Sequence, residues 1–261
     1  VKTIALSCLL AVSLLQDPVK DRLDKSPRHH EWVQIKVGDR TLHAFVVFPE
    51  VKEKAAAIVV IHENKGLNDW ARGAADQFAE AGLIAIAPDL LSGLGPNGGK
   101  TSDFPSADAA TQALYKLPPD QVTADLNACA NYVSKLDACS GKVAAAGFCW
   151  GGGQTFRFAT NRDSIAAAFV FYGPAPEDKT AIAKIKCPVH GFYGENDSRI
   201  NAGIEKATAA MKEAGKSYEP VIYKGAGHGF MRAGEMPDGK ADDQKARADA
   251  WIRIKELLKK L

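Results

Sequence analysis

Lys142-Val143-Ala144-Ala145-Ala146-Gly147-Phe148-Cys149-Trp150-Gly151-Gly152 is the stretch on which the reading turns. After one lysine, Val143–Ala146 is an apolar run, as expected of a strand covered on both faces. Gly147, Cys149 and Gly151 then alternate with two aromatic residues, giving the pattern G-x-C-x-G directly after that strand. The pattern is a strand-to-helix elbow with cysteine in place of serine. Small residues are needed two positions to either side, because the strained turn leaves no room for side chains there. Such a turn lifts the Cys149 thiol above the sheet, at the start of the next helix, where the helix dipole favours the reactive thiolate. Backbone amides at the same turn, Trp150 among them, can hold an oxyanion. The competing reading of Cys149 is a structural cysteine in a tight turn. No G-x-S-x-G occurs in the chain, so no serine competes for the role.

Outward from the elbow, strand and helix patterns alternate. Ala57–Ile61 is another continuous apolar run, and Asp69–Ala81 carries Trp70, Ala74, Phe78 and Ala81 at helical spacing before Gly82. Strands follow at Leu83–Ala87, Ile165–Tyr172, Pro188–Tyr193 and Glu219–Tyr223. Helices are expected over Asp120–Leu136, after Gly151, around Ala181, over Ala202–Ala214 and from Ala241 to Leu261. This rhythm predicts an α/β fold, a mostly parallel sheet wrapped by helices. Trp32–Val37 and Thr41–Phe48, joined by a turn at Gly38-Asp39, read as a hairpin that adds antiparallel N-terminal strands at one edge. Leu91–Pro119 breaks the rhythm with many glycines and prolines and a short helical stretch near Ala107–Tyr115. A connection this long in a compact domain works as a lid or binding loop, so it is expected to cover part of the site.

The 33 basic and 31 acidic residues leave a net charge of +2, which selects neither nucleic acid nor an anionic membrane. Val1-Lys2 precedes an uncharged apolar run, Ile4–Leu15, too short to span a bilayer comfortably. Residues 1–16 therefore read as a signal peptide, with export to the periplasm or medium. Residues 17–31, with Pro18, Pro27 and His29-His30, read as a polar linker or arm, and 32–261 as a single domain. In an oxidising compartment Cys129 and Cys139 are either a disulfide or two small buried hydrophobes; both readings stay open.

A cysteine nucleophile for acyl transfer needs a histidine and an acid that orients it, and in this arrangement the acid precedes the histidine in the chain. After Cys149 only His190 and His228 remain. His190 lies inside an apolar strand, where core packing explains it. His228 sits in the glycine-rich loop Gly225–Gly229, beyond a strand end, where a base belongs. Asp197, just after the strand ending at Tyr193, is the preferred acid, with Glu195 the second candidate and helix capping the alternative role. Glu63 and Asn64 follow the strand Ala57–Ile61 and border the same end of the sheet.

These residues together resemble the dienelactone hydrolase family of α/β-hydrolases over roughly Trp32 to Leu261. The markers are Gly147–Gly152, Asp197 and His228-Gly229-Phe230. The resemblance implies that Glu63 partners the resting cysteine, that the Asn64 and Trp150 amides form the oxyanion hole, and that Arg232 binds a substrate carboxylate. One departure stands out. Where dienelactone-cleaving members carry a second carboxylate-binding arginine, this chain has Gly93, so the machinery is better matched than that substrate. The expected protein is a monomeric hydrolase of a small ester or lactone, using no metal or organic cofactor. Its rivals are an acyltransferase or peptidase with the same triad, and a non-catalytic ligand-binding or redox-sensing protein.

Overall fold

The apolar runs lie side by side in one sheet. The structure, a computed structural model, describes residues 18–261. In chain order the elements are α1 (Pro18–Asp24), β1 (His30–Val37), β2 (Arg40–Val47), β3 (Ala55–Ile61), α2 (Asp69–Glu80), β4 (Ile84–Asp89), α3 (Ala107–Leu114), α4 (Pro119–Val133) and β5 (Cys139–Phe148). They continue with α5 (Trp150–Ala159), β6 (Ile165–Phe171), α6 (Lys179–Ile182), β7 (Val189–Gly194), α7 (Ser198–Asn201), α8 (Ile204–Glu213), β8 (Tyr218–Tyr223), α9 (Phe230–Ala233) and α10 (Ala241–Leu258).

The eight strands run in the order β1-β2-β4-β3-β5-β6-β7-β8. β1 and β2 are antiparallel, β2 joins β4 antiparallel, and the remaining pairs are parallel. Both faces of the central strands are covered. Leu126, Cys129, Phe156 and Met211 pack on one side, and Trp70, Phe78, Ala250 and Ile254 on the other. Burying each such large side chain contributes roughly 1.5–3 kcal/mol, which is what keeps β3 and β5 at the centre. The parallel strands all end at one edge of the sheet, and the glycine-rich turns after β3, β5, β7 and β8 meet there.

One expectation needs correction, and one open alternative is decided. Of the stretch 17–31, read as a polar arm, the described part is largely structured: α1 buries Val19 and Leu23, and β1 starts already at His30. Two apolar residues four apart make one inward stripe on a short helix, a pattern too sparse to stand out in a polar segment. Cys129 and Cys139 form no bridge; both are buried free thiols. The apolar run 1–16 lies outside the described residues, and no helix among those described is long and apolar enough to cross a membrane. The 91–119 segment folds back on the body through Asp89, whose carboxylate accepts from the Thr101 amide at 3.0 Å and the Thr101 hydroxyl at 2.6 Å.

Candidate active site

β5 ends at Phe148 and α5 begins at Trp150, which leaves Cys149 alone at the corner with φ 56° and ψ −116°. A non-glycine residue in that region costs about 1–3 kcal/mol, so the surroundings must hold it. They do: its amide donates to Phe171 O at 3.0 Å, and its carbonyl accepts from the Gly152 and Gly153 amides at 3.0 and 3.2 Å. A Cβ on Gly147 would sit 2.1 Å from Gly151 O, and one on Gly151 would sit 2.4 Å from His62 O. Glycine at both positions is therefore a steric necessity. Beneath the corner an aromatic stack supports the strand ends, with Phe148 on Phe171 at 4.6 Å and Phe171 on Phe192 at 4.4 Å.

The loop after β8 brings His228 over this corner. Its Nε2 lies 3.1 Å from Cys149 Sγ, and its Nδ1 lies 2.5 Å from Asp197 Oδ2. Asp197, after β7, is buried and makes no capping bond to α7. The second acid candidate, Glu195, instead accepts from the Gly225 amide at 2.8 Å and braces the histidine loop. Asp243 does the same from α10, accepting from the Gly227 amide at 2.8 Å. His190 stays in β7, 3.2 Å from Glu219, and takes no part at the thiol. The contact to Cys149 favours the charged imidazole most; burial opposes it, and Asp197 reinforces it. The His228 pKa is pushed up to about 9.

Glu63 has a different partner from the one the resemblance implies. Cys149 points to His228, while Glu63 Oε2 accepts from Arg232 Nε at 2.8 Å and Oε1 accepts from the Tyr172 hydroxyl at 3.4 Å. A buried carboxylate needs compensating donors, and a guanidinium supplies more than a thiol can. Arg232 is thus ion-paired, and no protein acceptor among the described residues takes its terminal NH2 groups.

Two residues escaped sequence reasoning. Tyr172 is fully buried with φ 39°, bonds to Glu63, and sets its ring edge-on to His228 at 5.1 Å. Burial first, then the Glu63 charge, push its pKa well up, so it remains a donor. Its only signal was position, at the carboxyl end of a central strand. His62 is fully buried and stacks on Trp150 at 5.9 Å. Its Nδ1 lies 2.8 Å from Glu63 O; because a carbonyl only accepts, the proton is on Nδ1. Burial lowers its pKa and keeps it neutral. The Asn64 amide lies in the turn after β3, and the Trp150 amide is at the first position of α5, where helix N–H groups lack intrahelical acceptors.

The cleft over Cys149 has a volume of about 320 Å³ and is lined by Trp150, Tyr172, Pro174 and, from the end of α3, Tyr115. Part of the 91–119 segment therefore borders the thiol. Among the described residues no group of three or more His, Cys, Asp or Glu could hold a metal ion.

A mostly parallel sheet wrapped by helices, with an elbow after its central strand and an acid and a histidine after two later ones, makes this an α/β-hydrolase fold. The model of the dienelactone hydrolase family matches residues 42–261, and the chain belongs to that family as a dienelactone-hydrolase-like hydrolase. It is 29% identical over 257 residues to a Saccharolobus solfataricus protein named "Putative carboxymethylenebutenolidase", covering 84% of this chain and 94% of that one. A Salmonella typhimurium protein of the same name is 30% identical over 226 residues, covering 82% and 80%. In fold it is similar to a dienelactone hydrolase-like promiscuous phosphotriesterase from metagenomic libraries, with TM-score 0.75, 23% identity, and coverage of 90% and 98%.

Proposed function

We propose that the protein hydrolyses a carboxylic ester or lactone through a Cys149 thioester, with His228 as the proton carrier and Asp197 as its orienting acid. The observation that carries this reading is the continuous chain Cys149–His228–Asp197, with contacts of 3.1 and 2.5 Å. In the proposed sequence the Cys149 thiolate attacks the carbonyl carbon and a C–S bond forms. The Asn64 and Trp150 amides receive the oxyanion. As it collapses, the C–O bond to the leaving group breaks and His228 gives that oxygen its proton. Water, deprotonated by the now neutral His228, then attacks the thioester and regenerates the thiolate. Asp197 keeps the imidazole oriented throughout.

Arg232 would bind a carboxylate on the substrate through its terminal NH2 groups while Glu63 retains Nε. Because thioesters form readily and hydrolyse slowly, a good leaving group or an activated lactone suits this site. Export, argued from the run Ile4–Leu15, belongs to the same proposal and is checked by the N-terminus of the mature protein.

The test is hydrolysis of aryl esters and five-membered lactones, with and without a carboxylate, by wild type and Cys149→Ala. Turnover should fall at least ~10³-fold in the variant, the scale on which loss of a nucleophile is felt. Turnover that survives the substitution, or none by freshly reduced wild type, would remove the thiol hydrolase reading.

A further inference from the structure

The Glu63–Arg232 pair stands between two clefts of unequal size. Tyr172, which bonds Glu63, lines the cleft of about 320 Å³ at Cys149. Arg232, which also bonds Glu63, lines a second cleft of about 1090 Å³. The first is near the lower end of ligand-pocket sizes and the second near the upper end. An acyl group that fits beside the thiol leaves the larger space unfilled.

We propose that the larger cleft binds an aromatic carboxylate, carried in substrates as the portion remote from the scissile carbonyl. Its place in catalysis rests on the hydrolase reading above; its binding of the ligand does not. Trp32 of β1 lines the cleft and is 43% exposed, high for so large an aromatic ring. Lys100 Nζ lies 5.1 Å from that ring's centroid and the Arg72 guanidinium 5.9 Å, so the aromatic face is flanked by cations. Leu67 and Phe104 add apolar wall.

The charges of the wall are not equally available. Arg72 is paired with Asp69 and Arg232 with Glu63. Asp89 is buried and already accepts from Leu91 and Thr101. Lys65 and Lys100 form no salt bridge among the described residues, and against these two cations stands Asp238, the one acid of the wall with neither a paired cation nor a set of donors. A planar ring laid against Trp32 with its carboxylate toward Lys100 satisfies both features at once. Lys100 places the available cation beside an aromatic surface.

The experiment is calorimetric titration of the full chain with 2-naphthoate, which holds no scissile bond, against 2-naphthol and acetate as ring-only and charge-only controls. One naphthoate should bind, more tightly than either control. Trp32→Ala should weaken it about fivefold or more, and Lys100→Met about threefold, in line with one stacking and one ionic contact. Unfolding midpoints of the variants check that both fold, and Lys100, on a surface strap, serves if Trp32→Ala does not. No binding, equal binding of 2-naphthol, or affinity unchanged in both variants would overturn the proposal. Hydrolysis of p-nitrophenyl acetate, lost in Cys149→Ala, reports separately on the thiol, so either reading can fail without the other.

Discussion

At Cys149 the backbone is held against its preference by contacts that tolerate no extra atom nearby. Gly151→Ala would press a methyl into the backbone carbonyls of Ile61 and His62, both 2.4 Å away. Overpacking of this kind costs about 1–3 kcal/mol or more, so a lower urea midpoint and loss of turnover are expected together. Tyr172→Phe removes one donor from Glu63 and leaves Arg232 as its support. The bond is long, so a drop in kcat/KM of less than about tenfold is expected, with stability nearly unchanged. A larger loss would mean the hydroxyl touches the reacting atoms.

The imidazole also sets a pH limit. With its pKa raised to about 9, His228 keeps the proton that a leaving alkoxide requires below that pH and loses it above. For an alkyl ester, kcat/KM should fall about tenfold per pH unit beyond that point. A p-nitrophenyl ester, whose leaving group needs no proton, should show no such fall. Parallel profiles for the two esters would refute His228 as the acid.

Among the elements, the turn from α1 into β1 is held by one buried carboxylate. Asp76 of α2 accepts from Arg28 at 2.9 and 2.7 Å, from Ser26 at 2.6 Å, and lies 2.9 Å from His30 Nε2. Burial pushes its pKa up, but the bonds from Arg28, Ser26 and His30 outweigh this and hold it below 3.8. Its contribution is therefore present above pH 3.8 and is lost as pH falls through the lower folded value. Asp76→Ala strands the Arg28 cation and should cost about 3 kcal/mol. It should also expose residues 18–29 to protease at neutral pH, where wild type resists. Equal cleavage of the two would show that the apolar contacts of Val19 and Leu23 suffice alone.

Across the whole molecule the thiols divide by burial. Cys149 is half-buried beside His228, while Cys129, Cys139 and Cys187 are buried. Burial pushes the Cys187 thiol up to about 11 and raises Cys129 further. An aromatic disulfide reagent should therefore titrate one thiol rapidly in the folded 18–261 chain and four after unfolding. A reductant should leave the melting midpoint unchanged. Two missing thiols in the unfolded protein would mean that Cys129 and Cys139 pair after all.

What could be read along the chain was whatever depends on near neighbours. The elbow at Gly147–Gly151 is a steric rule over five consecutive residues, and the strand–helix rhythm that places it is a matter of local periodicity. The order of Asp197 and His228 after their strands was legible for the same reason, since each follows an apolar run. Short α1 was not, because its anchors lie far along the chain: Arg22 pairs with Glu235 at 2.7 Å, and the turn that follows the helix bonds Asp76, fifty positions from Ser26. Nor was the partner of Glu63: Arg232 is 169 positions distant, and only the packing of the turns after β3 and β8 brings the two together. Tyr172 and the large cleft belong to the same class. A long-range contact is decided by which of several possible donors the folded chain delivers to a buried charge, and that choice is made in three dimensions.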